Sequence, residues 1–162
     1  MRDTEFEKLY DEHAQALYGF LAYRTGDRAL AEDLLSETFE RALRARSRFN
    51  RRRGTARAWL YSIALNCARN AVRAHGAERR ALERLGVPAH AADPGLPFED
   101  RDELAHALDR LAPEERDTLA LRFGAGLSSP EIARVTGEPL TTVEGRVYRG
   151  LRKLRDILDP SP

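Results

Sequence analysis

Thr142, Glu144, Gly145, Tyr148, Arg149 and Arg152 recur at a spacing that puts them on one side of a helix, opposite Val143, Val147, Leu151, Leu154 and Leu158. Hydroxyl, carboxylate and guanidinium groups set out in this way suit the major groove of a duplex, where some reach base edges and others hold phosphates. The residues ahead of them fit the same purpose. Ser128 to Glu131 reads as a capping box, opening a short helix with Ile132, Ala133 and Val135 on its apolar side. Ala133 is small, so a second helix can cross close above it, and Gly137 supplies a positive φ where the chain reverses. Val143 packs back between the two, and Thr141 with Glu144 makes a further capping box. A short helix, a glycine turn and a longer helix with a basic face together form a helix-turn-helix. A plain helical hairpin with a solvated basic face is the simpler alternative; the joint occurrence of Ala133, Gly137, Val143 and two caps argues against it.

A second cluster lies upstream. Residues 40–84 carry 13 basic and 3 acidic side chains, whereas residues 1–39 carry 4 and 9, and residues 85–138 carry 5 and 11. So lopsided a basic block points to a polyanion, and the acidic blocks beside it point to a second kind of partner surface. Within the block Phe49 and Trp59 stand among arginines, and Asn66, Arg69, Asn70 and Arg73 share the polar side of one helix. Aromatic rings beside guanidinium and amide groups suit unpaired bases, which stack on one and pair with the other. Core packing is the competing account of both rings.

Other chemistry finds little support. His13, His75, His90 and His106 are scattered and none has metal-ligand spacing with Cys67. Cys67 falls on an apolar stripe, which reads as a buried structural thiol rather than a nucleophile. No phosphate-binding glycine loop occurs. The expectation is therefore no catalytic residue, no metal and no cofactor: not an enzyme. No apolar run approaches the roughly 20 residues of a membrane span, and Met1 to Glu5 lack the apolar core of a signal peptide. With one cysteine in the sequence, a cytoplasmic protein with no membrane contact of its own is expected.

The elements that must position these groups are all helical. Thr4 and Glu7 form a capping pattern ahead of Phe6, Leu9, Tyr10, Leu17, Phe20 and Leu21, and Gly26 stops that run. Asp27 caps a second helix with the stripe Ala31, Leu34, Leu35, Thr38, Phe39, Ala42 and Leu43. Thr55 caps a third, whose apolar side runs from Trp59 and Leu60 through Cys67 to Val72 and which breaks at His75-Gly76, with Ala77 to Leu85 extending or restarting it. Gly86-Val87-Pro88 and Asp93 to Pro97 read as turn and linker chemistry. Leu104, Ala107, Leu108 and Leu111 then precede a helix opened by Pro113 with Glu114 and Glu115 in its first turn, Leu119 and Phe123 facing inward, and Gly124 to Gly126 ending it. The expected fold is all-α: two small helical domains joined by a flexible linker, 1–80 and 99–162 around 81–98, the C-terminal one a helix-turn-helix.

In this order the segments resemble the extracytoplasmic-function (ECF) group of the sigma-70 family of RNA polymerase initiation factors. The resemblance is carried by Phe6 to Tyr10 with Leu17 to Tyr23, by Ala31-Glu32-Asp33-Leu34 through Phe39, by Ala58-Trp59-Leu60-Tyr61-Ser62-Ile63-Ala64-Leu65-Asn66, and by Leu127 to Leu154. It implies a factor that binds core polymerase and promotes strand opening at promoter DNA. Docking on the coiled coil of the polymerase largest subunit would involve Asp33, Leu34, Ser36, Glu37 and Arg41. The −10 element would be melted and read by Phe49, Asn50, Arg53, Thr55, Trp59, Asn66, Arg69, Asn70 and Arg73. The −35 element would be read by a recognition helix from Thr141 to Lys153, with Ser128, Thr141, Thr142, Glu144, Gly145, Arg146, Tyr148, Arg149, Arg152 and Lys153 as contacts. The resemblance also implies an anti-sigma factor as a candidate partner.

The chain departs from the family pattern at Ser36, where glutamine is common, at Asn70, where aspartate is common, and at Glu144 and Gly145, where a basic residue and a serine are common. Glu144 could accept from cytosine N4 or simply complete the helix cap. A self-sufficient regulator that dimerises or senses a ligand through its N-terminal helices is the alternative function.

Overall fold

The computed structural model describes residues 1–86, 103–104 and 107–160. The described residues form helices and turns, with no strand among them. The expected turn stretches from Val87 to Pro97, most of the expected linker 81–98, His90 and His106 lie outside the described residues.

Helix α1 spans Asp3–Thr25 and α2 spans Arg28–Ala45, with Gly26 and Asp27 forming the corner between them. Asp27 caps α2 as expected, its carboxylate accepting from the Leu30 N–H at 3.1 Å. The start of α1 differs from expectation: the helix begins at Asp3, and Glu5 rather than Glu7 reaches back, accepting from the Arg2 N–H at 3.3 Å. Thr4 therefore lies inside the first turn. After a short 3-10 turn at Arg46–Arg48, Thr55 caps α3, Ala56–Arg84, its hydroxyl accepting from the Ala58 N–H at 3.0 Å. The break expected at His75-Gly76 does not occur; α3 continues through it to Arg84. One glycine costs a helix interior only about 1 kcal/mol, and the alanines, glutamates and arginines beyond it favour continuation.

In the C-terminal half, α4 is Pro113–Leu119 and runs on into one wide π-helical turn, Ala120–Gly124. The helix-turn-helix follows as α5, Ser129–Thr136, and α6, Leu140–Leu158, with Gly137 at φ 73° between them. Two expectations change here. Phe123 is exposed, because the π turn swings it off the inward side that Leu119 keeps. Leu151 and Leu158 are also exposed, and the buried side of α6 is instead Val143, Gly150 and Leu154 with Val147 and Ile157 partly covered. Gly150 has Leu119 stacked directly on it, a place where a larger residue would not fit.

The two halves do not stand apart. One core cluster runs through both, joining Leu17, Phe20, Leu21 and Tyr61 to Leu121, Leu127, Ile132, Val135 and Val143. One close approach is backbone on backbone: a Cβ added to Gly19 of α1 would lie 2.5 Å from the carbonyl oxygen of Gly124 in the π turn. Around this apolar seam lie ions. Arg24 donates from Nε to one oxygen of Asp117 at 2.5 Å, and Arg69 donates from Nε to the other at 3.0 Å. Arg57 pairs with Glu131, and the Ser62 hydroxyl lies 3.2 Å from the Val135 carbonyl oxygen. Arg24 and Asp117 are almost wholly buried, at 3% and 5% side-chain exposure. The seam is not fully satisfied. Arg24 Nη1, Arg57 Nε, Tyr61 Oη and Arg116 Nε are buried without a well-formed hydrogen bond among the described residues.

Phe20 is fully buried with its ring 6.4 Å from that of Tyr61. Phe20→Ala is expected to destabilise the chain by about 3–5 kcal/mol in urea unfolding; a loss below about 1 kcal/mol would contradict its placement at the centre of the core.

Candidate nucleic-acid interface

The recognition helix presents its expected outer side to solvent. Thr141, Glu144, Tyr148, Arg149 and Arg152 are exposed, and Thr142 and Gly145 are half-buried. The cap expected from Thr141 and Glu144 is absent: α6 starts one residue earlier, at Leu140 after Pro139, with no side-chain cap. Glu144 is thereby relieved of the capping role and stands free on the outer side. Ser128 does cap α5, accepting from the Glu131 N–H at 3.3 Å while Glu131 accepts from the Ser128 N–H at 3.0 Å. Two expected contacts are tied within the protein. Arg146 pairs with Glu138 at 3.2 Å and Lys153 with Glu115 at 2.7 Å. Burial alone would raise the Glu115 carboxyl, but Lys153 and the Ala112 N–H hold it below the usual carboxylate range.

The N-terminal surface is more engaged. Phe49 and Trp59 are both half-buried, with ring centroids 5.1 Å apart and planes tilted at 46°. Trp59 also packs against the core, as the competing account expects. Asn50 and Arg53 are exposed on the basic loop, where the Asn50 side-chain oxygen accepts from the Arg52 N–H at 3.0 Å and fixes the turn. The loop is anchored to α1 by Arg51 with Glu5 and Arg46 with Asp3, so the acidic start of the chain holds the basic loop in place. Thr55 is exposed and used as a cap, Asn66 is exposed, and Asn70 accepts from Arg73 at 2.9 Å along α3. Arg69 is turned toward Asp117 of the other half.

On α2, Asp33 and Ser36 are exposed and Glu37 pairs with Arg41 at 2.6 Å. Leu34 departs from its expected role: it is 4% exposed and belongs to the core, because it continues the Ala31–Thr38 stripe. Cys67 is buried, and burial pushes its thiol up, in keeping with a packing residue. Tyr61, fully buried, is pushed up to about 12 by desolvation.

Sequence reasoning missed Arg24, Arg57 and Asp117. Their partners stand 48 to 93 residues away in the chain, and no local pattern marks such a pair. Gly19, inside an otherwise apolar helical run, was the available signal, since a glycine there implies a close approach.

Comparison with known proteins places these surfaces in context. The description "Sigma-70 region 2" matches residues 9–78 and "Sigma-70, region 4" matches residues 101–154. RNA polymerase sigma factor CarQ of Myxococcus xanthus is 38% identical, the alignment covering 94% of this chain and 88% of CarQ. ECF RNA polymerase sigma factor BldN of Streptomyces coelicolor is 35% identical, covering 94% of this chain but 60% of BldN, so the chain spans less than two thirds of that relative. Among solved structures, CnrH in complex with the cytosolic domain of CnrY is similar with a TM-score of 0.73 and 25% identity, covering 99% of this chain and 92% of CnrH.

Glu131 lies below the ordinary carboxylate range, chiefly because the Ser128 N–H donates to it, with Arg57 adding to the effect. A depressed folded pKa contributes stability that is present above the unfolded value near 4.5 and lost as pH falls through the folded one. Glu131→Gln keeps the capping geometry and removes the charge. Its stability deficit relative to the parent is expected at pH 7 and should shrink as pH falls below 4.5; a deficit constant across that range in urea titrations would contradict the assignment.

Proposed function

Because the chain belongs to the sigma-70 family of RNA polymerase initiation factors, in its extracytoplasmic-function group, we propose that it binds core polymerase and directs it to a restricted set of promoters. The N-terminal module, residues 1–80, serves polymerase docking and the −10 element. Residues 81–98 connect it to a module at 99–162 that reads the −35 element. The observation that carries this reading is the recognition helix, whose Thr141, Glu144, Tyr148, Arg149 and Arg152 stand exposed and unclaimed by the protein's own core.

The roles follow from charge and shape. Asp33, Ser36, Glu37 and Arg41 form the polar side of α2 that meets the polymerase coiled coil, while Leu34 supports it from beneath. The arginines of the basic loop attract the DNA backbone. Phe49 and Trp59 offer an aromatic pair for unpaired bases, with Asn66, Asn70 and Arg73 for their edges. Extracting a base costs a few kcal/mol, and stacking at about 1–3 kcal/mol per base offsets it. Glu144, free of the cap, accepts from cytosine N4 and shifts the −35 preference away from guanine at that position. The chain makes and breaks no covalent bond in this scheme, and it works in the cytoplasm, where the polymerase is; no helix among the described residues is long and apolar enough to cross a membrane. CnrH is solved with a protein partner, and a protein of the anti-sigma class is the corresponding partner proposed for this chain.

Run-off transcription with core polymerase on a pool of randomised promoters tests the function, and recovery of a shared two-element sequence is the expected result. Enrichment of a single palindrome bound without polymerase would favour the self-sufficient regulator. Arg149→Ala is expected to weaken promoter binding across sequences and reduce the slope of log affinity on log salt by about 1; an unchanged slope counts against a phosphate contact. Trp59→Ala is expected to cut open-complex yield on the order of tenfold by permanganate footprinting, with Trp59→Phe retaining most of it; normal yield from the alanine variant refutes the platform role.

A further inference from the structure

We propose that the end of α3, from Arg73 to Arg84, is a basic arm that grips duplex DNA on the −35 side of the −10 element, with Arg80 and Arg84 on its phosphates. The inference deepens the initiation-factor reading above and rests on it. Asn66, Asn70, Arg73, Arg80 and Arg84 all lie on α3. At about 100° per residue they fall within about 40° of one line along the helix. The first three are candidate contacts for the opened strand, so the arm carries the same side of the helix onward. Arg80 and Arg84 lie past residues 9–78, which match region 2, and ahead of residues 101–154, which match region 4.

The arm is not held by the fold. From Arg73 to Gly86 every residue is exposed except Gly76 and Leu82, which are half-buried. An exposed helix gains from opposite charges set four residues apart. Arg79 and Glu83 make such a pair at 4.0 Å, well away from the line of arginines. Along the line the rule is reversed. Arg80 and Arg84 stand four residues apart with like charge, which destabilises a helix. Neither has a carboxylate partner among the described residues, and Arg84 donates only from Nε, to the Arg80 carbonyl oxygen at 3.3 Å. Guanidinium groups that repel one another suit a linear polyanion, whose phosphates relieve the repulsion.

Composition, length and chain order point to paired DNA. The arm from Arg73 to Leu85 has no Phe, Tyr or Trp. It therefore lacks the stacking surface that opened bases find at Phe49 and Trp59. Arginine instead offers a planar fork of donors that matches a phosphate. Arg73 to Arg84 spans about 16 Å of helix, the rise of about five base pairs. The arm leaves the module assigned to the −10 element and leads toward the one assigned to the −35 element. DNA beside it thus lies between the two, where no base needs to be unpaired.

Arg80→Gln combined with Arg84→Gln removes both charges, and glutamine is nearly as good a helix former as arginine. Helix content by circular dichroism is therefore expected to stay unchanged. The binding test uses the full chain with core polymerase on a promoter recovered from the randomised pool. There the double variant is expected to reduce the slope of log affinity on log salt by about 2. Arg79→Gln, away from the line, is expected to leave the slope as it is. Location is read with promoters carrying neutral methylphosphonate linkages over about five base pairs on the −35 side of the −10 element. These are expected to weaken the parent on the order of tenfold and the double variant by less than about twofold. An unchanged slope in the double variant overturns the arm, as does equal sensitivity of parent and variant to the neutral linkages. Loss of affinity for core polymerase without DNA would place the arm on the polymerase and overturn the duplex contact. A parent that binds no promoter even with polymerase refutes the initiation-factor reading itself, and the arm's contact falls with it.

Discussion

A chain whose residues 40–84 are strongly cationic must have that charge answered, and Asp117 shows how this fold answers it. Its two carboxylate oxygens take a guanidinium each, from Arg24 at the end of α1 and Arg69 in the middle of α3, almost wholly out of solvent at Arg24. Two bonded cations offset the penalty of burying the carboxylate. Removing Asp117 would leave the buried Arg24 guanidinium without its counter-charge. The rest of the structure is arranged around that neutralisation. The π turn brings Gly124 against Gly19, and α5 packs on α3 with Glu131 facing Arg57.

The same rule operates at the other end of the N-terminal half. Asp3 and Glu5 hold Arg46 and Arg51, so the basic loop is already shaped before any nucleic acid arrives. Exposed pairs of this kind add little to stability. Their effect is on position: the loop presents Arg48, Arg52 and Arg53 outward beside the Phe49–Trp59 pair. In the helix-turn-helix, Glu115 and Glu138 take Lys153 and Arg146, while Arg149 and Arg152 stay exposed on the outer side. Acidic residues in this protein thus decide which basic residues are available.

Much of this was legible in the sequence because it is local. Caps at Asp27, Thr55 and Ser128, the turn at Gly137 and the apolar stripe of α2 depend on residues a few positions apart, and helical periodicity exposes them. Leu34 continues the apolar stripe of α2, and the structure buries it there. The failures have physical causes. Helix α3 passes through Gly76 because a single glycine is a small penalty against favourable neighbours. Phe123 faces outward in a π turn that helical periodicity does not anticipate, and Leu151 and Leu158 each lie one residue past the covered positions Gly150 and Ile157 on α6. The packing of the two halves left only indirect marks, Gly19 and the alternating charge blocks, since contacts across 93 residues obey no spacing rule.

The claim on which the account stands is that DNA recognition by this chain is completed by polymerase rather than by the chain alone. The direct measurement is the affinity of the purified full chain for one selected promoter duplex, with and without core polymerase, at fixed salt. The account predicts weak, sequence-indifferent binding by the chain alone and tight, sequence-dependent binding once core polymerase is added. Tight and selective binding by the chain alone, unchanged by polymerase, would contradict it.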